Sequence, residues 1–281
     1  MSRRVTPRVR GALGVGALFL AVQALAVVVA PRLAGTGVSY GDGGDALVPL
    51  VAGLVVGTLL SLAVVRYGTA RWVVRVVMLV SLSAAMWFAT AALLGPVSGA
   101  ALAVAGGLLA WRVPRPAVRN GVAVVGVAGA AGLFGASLDP AYAAVALVVA
   151  TAYDAYAVYG SGHMLDMASA SADLRVPSMF VVPTDDGYDD RALTVGDADA
   201  TGSPAATVLG AGDALFPAML TASLAVAEGG VGGRTVAALL GSLVGVAALQ
   251  AFVHSRRGVH AGLPFVNGGA LAGWLLALAV L

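Results

Sequence analysis

The chain has 281 residues, of which 59% are hydrophobic and only 11% charged, with a formal net charge of +2 and a mean hydropathy of +0.93. Soluble domains carry about 25% charged residues, so this composition excludes an ordinary water-soluble domain and makes lipid the solvent for most of the sequence. The lack of cysteine excludes disulfides, thiolate nucleophiles and cysteine-held clusters, and His163, His254 and His260 have no paired spacing, so neither a metal nor a cofactor is expected.

Apolar runs long enough for a hydrocarbon core of about 30 Å recur along the chain and predict nine spanning helices. They lie at roughly 11–30, 46–65, 76–94, 97–111, 121–138, 141–159, 205–226, 235–253 and 263–281. The fold class expected is therefore all-α, a polytopic membrane protein. The opening MSRRVTPRVR resembles the start of a secretory signal. The apolar run behind it, of about 20 residues, exceeds the usual 7–15 and reads as a retained first helix. Glycines spaced for close helix contact occur at Gly53 and Gly57, at Gly126, Gly129, Gly132 and Gly135, and at Gly241 and Gly245. The organisation is a six-helix part (1–160), a cytoplasmic loop (161–203) and a three-helix part (204–281).

The loop divides into a stretch ending at Leu174 with amphipathic helical character, a β-prone run from Arg175 to Pro183, and an acidic tract from Thr184 to Thr201. His163 and Asp166, three residues apart, have groups that could bind a proton or a metal but read more simply as solvated loop residues, and Ser161 is too local to His163 for a serine-protease pair. All 16 basic residues are arginine, and eight of the 14 acidic ones fall between Asp166 and Asp199, a composition resembling that of high-salt cytoplasmic proteins. With a cytoplasmic N-terminus, 14 arginines collect on the inner side, leaving only Arg32 and Arg234 outside. A multi-pass protein of the cell membrane with its C-terminus outside follows. The arginine clusters serve orientation and anionic lipid, and no phosphate loop or nucleic-acid patch is present.

Against this background two charges stand out: Asp154 in span six and Asp213 in span seven. A carboxylate in the bilayer core costs about 2.5–3.5 kcal/mol even on the lenient insertion scale, so each points to chemistry or transport. By helix rise, Asp154 lies about 9 Å and Asp213 about 12 Å from the cytoplasmic surface, at levels where the two side chains can meet. Two adjacent carboxylates cannot both ionise cheaply, so the pair holds one proton. The charged member then activates a water and the protonated one polarises a peptide carbonyl. Gly210 and Gly212 leave room beside Asp213, Pro217 loosens its helix, and Tyr153 is placed to bond or cover the site. Asn267 in span nine is expected to make an interhelical hydrogen bond.

Tyr153-Asp154 in one span, Gly210-Ala211-Gly212-Asp213 in the next and nine helices resemble the presenilin and signal peptide peptidase intramembrane aspartyl proteases. The compact loop and composition are similar to archaeal, in particular haloarchaeal, presenilin homologues. The resemblance implies an endopeptidase that cuts single-span membrane proteins or remnant signal peptides within the lipid bilayer, with Asp154 and Asp213 as its dyad. It also implies that the Pro-Ala-Leu-Pro motif of span nine corresponds to Ala261-Gly262-Leu263-Pro264, where Leu263 and Pro264 match, Gly262 replaces alanine and the first proline is lost. The family uses a strand just before span seven to pair with unwound substrate, and Met179, Phe180, Val181 and Val182 are assigned that edge. The alternative is a proton- or cation-coupled transporter or channel using the same buried aspartates, against which stands the lack of an inverted repeat.

Overall fold

The computed structural model describes residues 6–39, 41, 44–67, 71–113, 115–160, 178–184, 188, 206–255 and 260–280. Most of the predicted cytoplasmic loop, including Ser161, His163 and Asp166, lies outside the described residues. Nine α-helices occupy the described residues: α1 (Pro7–Thr36), α2 (Leu47–Tyr67), α3 (Arg71–Leu94), α4 (Pro96–Arg112), α5 (Pro116–Ser137), α6 (Pro140–Ala155), α7 (Ala211–Ala227), α8 (Gly233–Ser255) and α9 (Leu263–Val280). Prolines open α1, α4, α5 and α6, where the missing N–H has no helical partner to lose. Between α3 and α4 the chain turns at Gly95 (φ 89°), a backbone conformation that side chains rarely adopt. Six stretches are long and apolar enough to cross a bilayer, in α1, α3, α5, α6 with its extension, α8 and α9.

α1, α5 and α7 form the centre of the bundle, with Val15, Phe19, Val22, Ala123, Ala128, Ala218 and Ala222 in one buried cluster. Small residues set its spacing. Side chains at Gly126 or Gly129 would run into α3, at Gly132 into Val29 of α1, and at Gly135 into Ala222 of α7. Gly241 and Gly245 do the same between α8 and α9. At Gly53 and Gly57, among the described residues, a Cβ would meet open space.

The all-α expectation needs one correction. Met179–Pro183 forms strand β1 and Ala206–Gly210 strand β2, paired antiparallel with Val181 opposite Val208. β2 takes the first residues assigned to span seven, so α7 starts at Ala211 rather than near 205. Thr207 and Val208 favour extended backbone, and the partner strand satisfies peptide groups that a longer helix would otherwise bond. Phe180 and Leu209, directly opposite one another, point into the central core. Gly11 and Gly14 of α1 form the seat: a Cβ there would strike Thr207 and Val182 respectively.

At the far end from this sheet, Glu228 follows α7 and caps α8. It accepts bonds from the Thr235 amide (2.9 Å) and hydroxyl (2.6 Å) and from the Arg234 amide (3.1 Å) and Nε (3.3 Å). Partial burial opposes its charge, but these bonds from Thr235 and Arg234 outweigh it and hold the carboxyl below the ordinary glutamate value. A lowered value means that the unfolded chain takes up the proton first as pH falls. Glu228→Gln is therefore expected to cost about 1 kcal/mol at neutral pH. Its deficit in melting temperature, measured in detergent, should close once the pH drops through the folded-state value.

Candidate active site

Asp154 is the second-last residue of α6, which does not end cleanly but widens into a π-helical turn, Tyr156–Gly160. Such a turn is uncommon and recurs at functional sites. The Asp154 side chain is buried (4% exposed), and its Oδ2 accepts the Leu263 amide at 3.1 Å. Leu263 begins α9, so this N–H is one of the first-turn donors that no helical carbonyl can satisfy. Pro264 follows without a donor of its own, and the amide of Gly262 also acts on Asp154.

Asp213 reaches the same spot from α7. It is the third residue of that helix, not the ninth as a start near 205 implied, so its depth follows from the helix terminus and not from a long preceding rise. The Gly210 amide interacts with its carboxylate, and the two aspartates lie within coulombic reach of each other. Both converge on Gly262: a Cβ built there would stand 2.9 Å from each Asp213 oxygen, while the next residue's amide holds Asp154. Two helix N-termini, of α7 and α9, therefore point their positive ends at one pair of carboxylates. Gly212 faces open space on the exposed side of α7, and Asp213 is partly exposed there. Pro217 removes the N–H that would bond the Asp213 carbonyl.

Residues 16–281 match the family described as signal-peptide peptidase, presenilin aspartyl protease. The chain belongs to that family. Two solved structures, each described as a presenilin family intramembrane aspartate protease, resemble it over nearly its full length. The one in space group P2 is 28% identical with a TM-score of 0.66, and the one in C222 is 26% identical with a TM-score of 0.64. In both cases 96% of this chain and 98% of the other are covered. No curated protein matches the chain. It is thus a multi-pass, intramembrane-cleaving aspartic endopeptidase.

Within this presenilin-family fold the other sequence candidates divide. Tyr153 is partly buried beside Asp154, and Leu263 is buried with Pro264 partly exposed at the head of α9. Asn267, one turn further along α9, bonds the Thr151 hydroxyl (3.0 Å) and the Leu147 carbonyl (3.2 Å) of α6, the interhelical link its position predicts. Met179 to Val182 do form a strand, yet they are not the strand next to α7. β2 is, and the outer edge of β1 is taken at Val181 by the Asn120 side chain of α5. Two contributions went unread in the sequence: this asparagine, and a buried link in which Thr221 of α7 donates to Gln23 of α1 (2.6 Å), which donates to Ser242 of α8 (3.4 Å). Gln23, Thr221 and Ser242 are signalled only as single polar residues in apolar runs, and Asn120 only as a polar residue beside Arg119 at a span's start.

Proposed function

We propose that Asp154 and Asp213 are the catalytic dyad and that the substrates are membrane-spanning segments of single-span proteins or signal peptides left in the bilayer. The observation that carries this reading is the convergence of both carboxylates on Gly262 and Leu263, at the N-termini of two helices. In that setting the ionised member takes a proton from a water as its oxygen attacks the peptide carbonyl. The protonated member donates a hydrogen bond to the developing oxyanion, and a proton then passes to the leaving nitrogen as the C–N bond breaks. No covalent intermediate is needed.

A peptide bond inside a helix is shielded, so the substrate must be extended at the cut. The sheet supplies the template. Ala211 donates to the Ser178 carbonyl (3.0 Å), which sets the bonded pairs of the ladder at 178/211, 180/209 and 182/207. By alternation, the N–H and C=O groups of Ala206, Val208 and Gly210 face away from β1. A substrate strand added to that edge runs directly to Gly210, whose amide meets Asp213. The edge role assigned to β1 from sequence thus passes to β2.

The arginine asymmetry supports a cytoplasmic position for this end of the bundle, with nine crossings and the C-terminus outside as the matching topology; Arg8, Arg10, Arg115 and Arg119 flank the starts of α1 and α5, the same end as the sheet. The lysine-free composition supports a place among archaeal homologues.

The test is purified protein in liposomes with a labelled single-helix substrate. Cleavage within the helix, blocked by a transition-state-mimicking aspartyl inhibitor, is expected; ion flux without cleavage would return the aspartates to a transport role. A second expectation concerns Gly262. Gly262→Ala, which restores the family residue, places a methyl 2.9 Å from both Asp213 oxygens and must displace that side chain. kcat should fall about a hundredfold, the scale of an ångström's misplacement. Unchanged kcat would show that Asp213 has freedom to move aside.

A further inference from the structure

Asn120 lies early in α5, 8% exposed, and its amide makes two bonds to a single residue of β1. Nδ2 donates to the Val181 carbonyl at 2.7 Å, and Oδ1 accepts the Val181 N–H at 2.9 Å. This is the pair of bonds that one residue of a neighbouring strand would exchange with Val181. The side chain is in effect a strand one residue long, delivered by a transmembrane helix. Two residues on, Pro183 has no N–H to offer along the same edge. β1 is therefore closed on one side by β2 and on the other by α5, while the glycine seat of α1 lies beneath both strands.

We propose that Asn120 is a positioning residue for cleavage: by closing the β1 edge it leaves β2 as the single edge for an incoming strand and fixes the sheet's register against the dyad. This inference rests on the strand-addition reading above. Its consequence is fidelity of the cut. A sheet tied at Val181 presents Ala206 and Val208 at one height relative to Asp213, and a substrate strand paired to them offers one peptide bond. Released from Asn120, the strand pair can tilt on its glycine seat about its junction with α7. Neighbouring bonds are then presented, because strand register is only as firm as what pins it.

The experiment uses the full-length protein in liposomes and a single-helix substrate whose products are resolved by mass. Asn120→Leu keeps the volume and removes both bonds. The share of cuts at bonds flanking the main site is expected to rise about fivefold, the scale of one lost buried hydrogen-bond partner. Without substrate, hydrogen exchange in a peptide covering 178–184 should quicken about tenfold. A merely structural role would reduce the amount of active enzyme and leave the product ratio alone, so the ratio is the deciding readout. Asn120→Asp, which keeps an acceptor for the Val181 N–H but loses the donor, should fall between the two. It carries the same test if the leucine variant does not accumulate.

A wild-type product ratio in either variant would overturn the role of Asn120. Val208→Pro separates the two readings. Normal cleavage in that variant removes strand addition and the Asn120 proposal with it. Lost cleavage there, with an unaltered ratio in Asn120→Leu, removes the Asn120 proposal alone.

Discussion

Asp154→Asn and Asp213→Asn, made singly, are each expected to abolish cleavage while leaving a folded protein. Asparagine matches aspartate in shape, so the Leu263 amide can still be accepted at residue 154, and the neighbours of residue 213 meet no added volume. What is lost is proton exchange. A neutral amide can neither take the proton from water nor return one to the leaving nitrogen, and loss of a positioned acid or base costs about 10²–10⁴-fold on its own. On the proposed dyad the two carboxyl groups act as a unit, so removing either should forfeit the whole pathway, and the double variant should be no worse than a single one. Cleavage is read by product appearance and folding by melting temperature in detergent. A single variant that keeps a tenth of wild-type activity would break the dyad assignment.

Val208→Pro should be the next most damaging change, by about a hundredfold in cleavage rate with little change in stability. The Val208 N–H points off the free edge of β2, so proline there removes a donor that substrate would use and none that β1 uses. Proline at Phe180 is the less informative change. Phe180 is fully buried in the central core and sits in a bonded pair with Leu209, so that substitution damages the bundle as well as the strand. Proline at Val181 would sever the Asn120 bond instead. Cleavage at the wild-type rate by Val208→Pro, with the melting temperature unmoved, would rule out the β2 edge as the substrate template.

Much of this arrangement was legible in the sequence, for physical reasons that also mark where reading stopped. The helices show because apolar runs end at Pro, Gly or Arg, and lipid tolerates little else. The aspartates show because an ionisable group within such a run is costly enough to demand a use. The boundary near residue 205 does not show. Ala206 to Leu209 are as apolar as the helix that follows, and hydropathy cannot tell a strand from a helix when the partner strand lies more than twenty residues earlier. That one ambiguity moved Asp213 from a helix terminus to a helix interior, and with it hid the positive end of α7 from view. Asn120 was hidden differently: a polar residue in the first turns of a span reads as an interface residue until the strand that it bonds is placed beside it.

The shortness of α7 has a bearing on the depth of the site. Seventeen residues give a helix of about 25 Å, less than the hydrocarbon depth of an average bilayer. The five residues of β2 ahead of it rise faster per residue and fill the deficit with backbone whose outer edge still seeks partners. Because α7 lies at the centre of the bundle, packed against α1, α5 and α6, helices and not acyl chains surround most of it. The depth of Asp213 is thereby set by five residues of extended chain and three of helix, a shorter run of residues than a continuous helix would need.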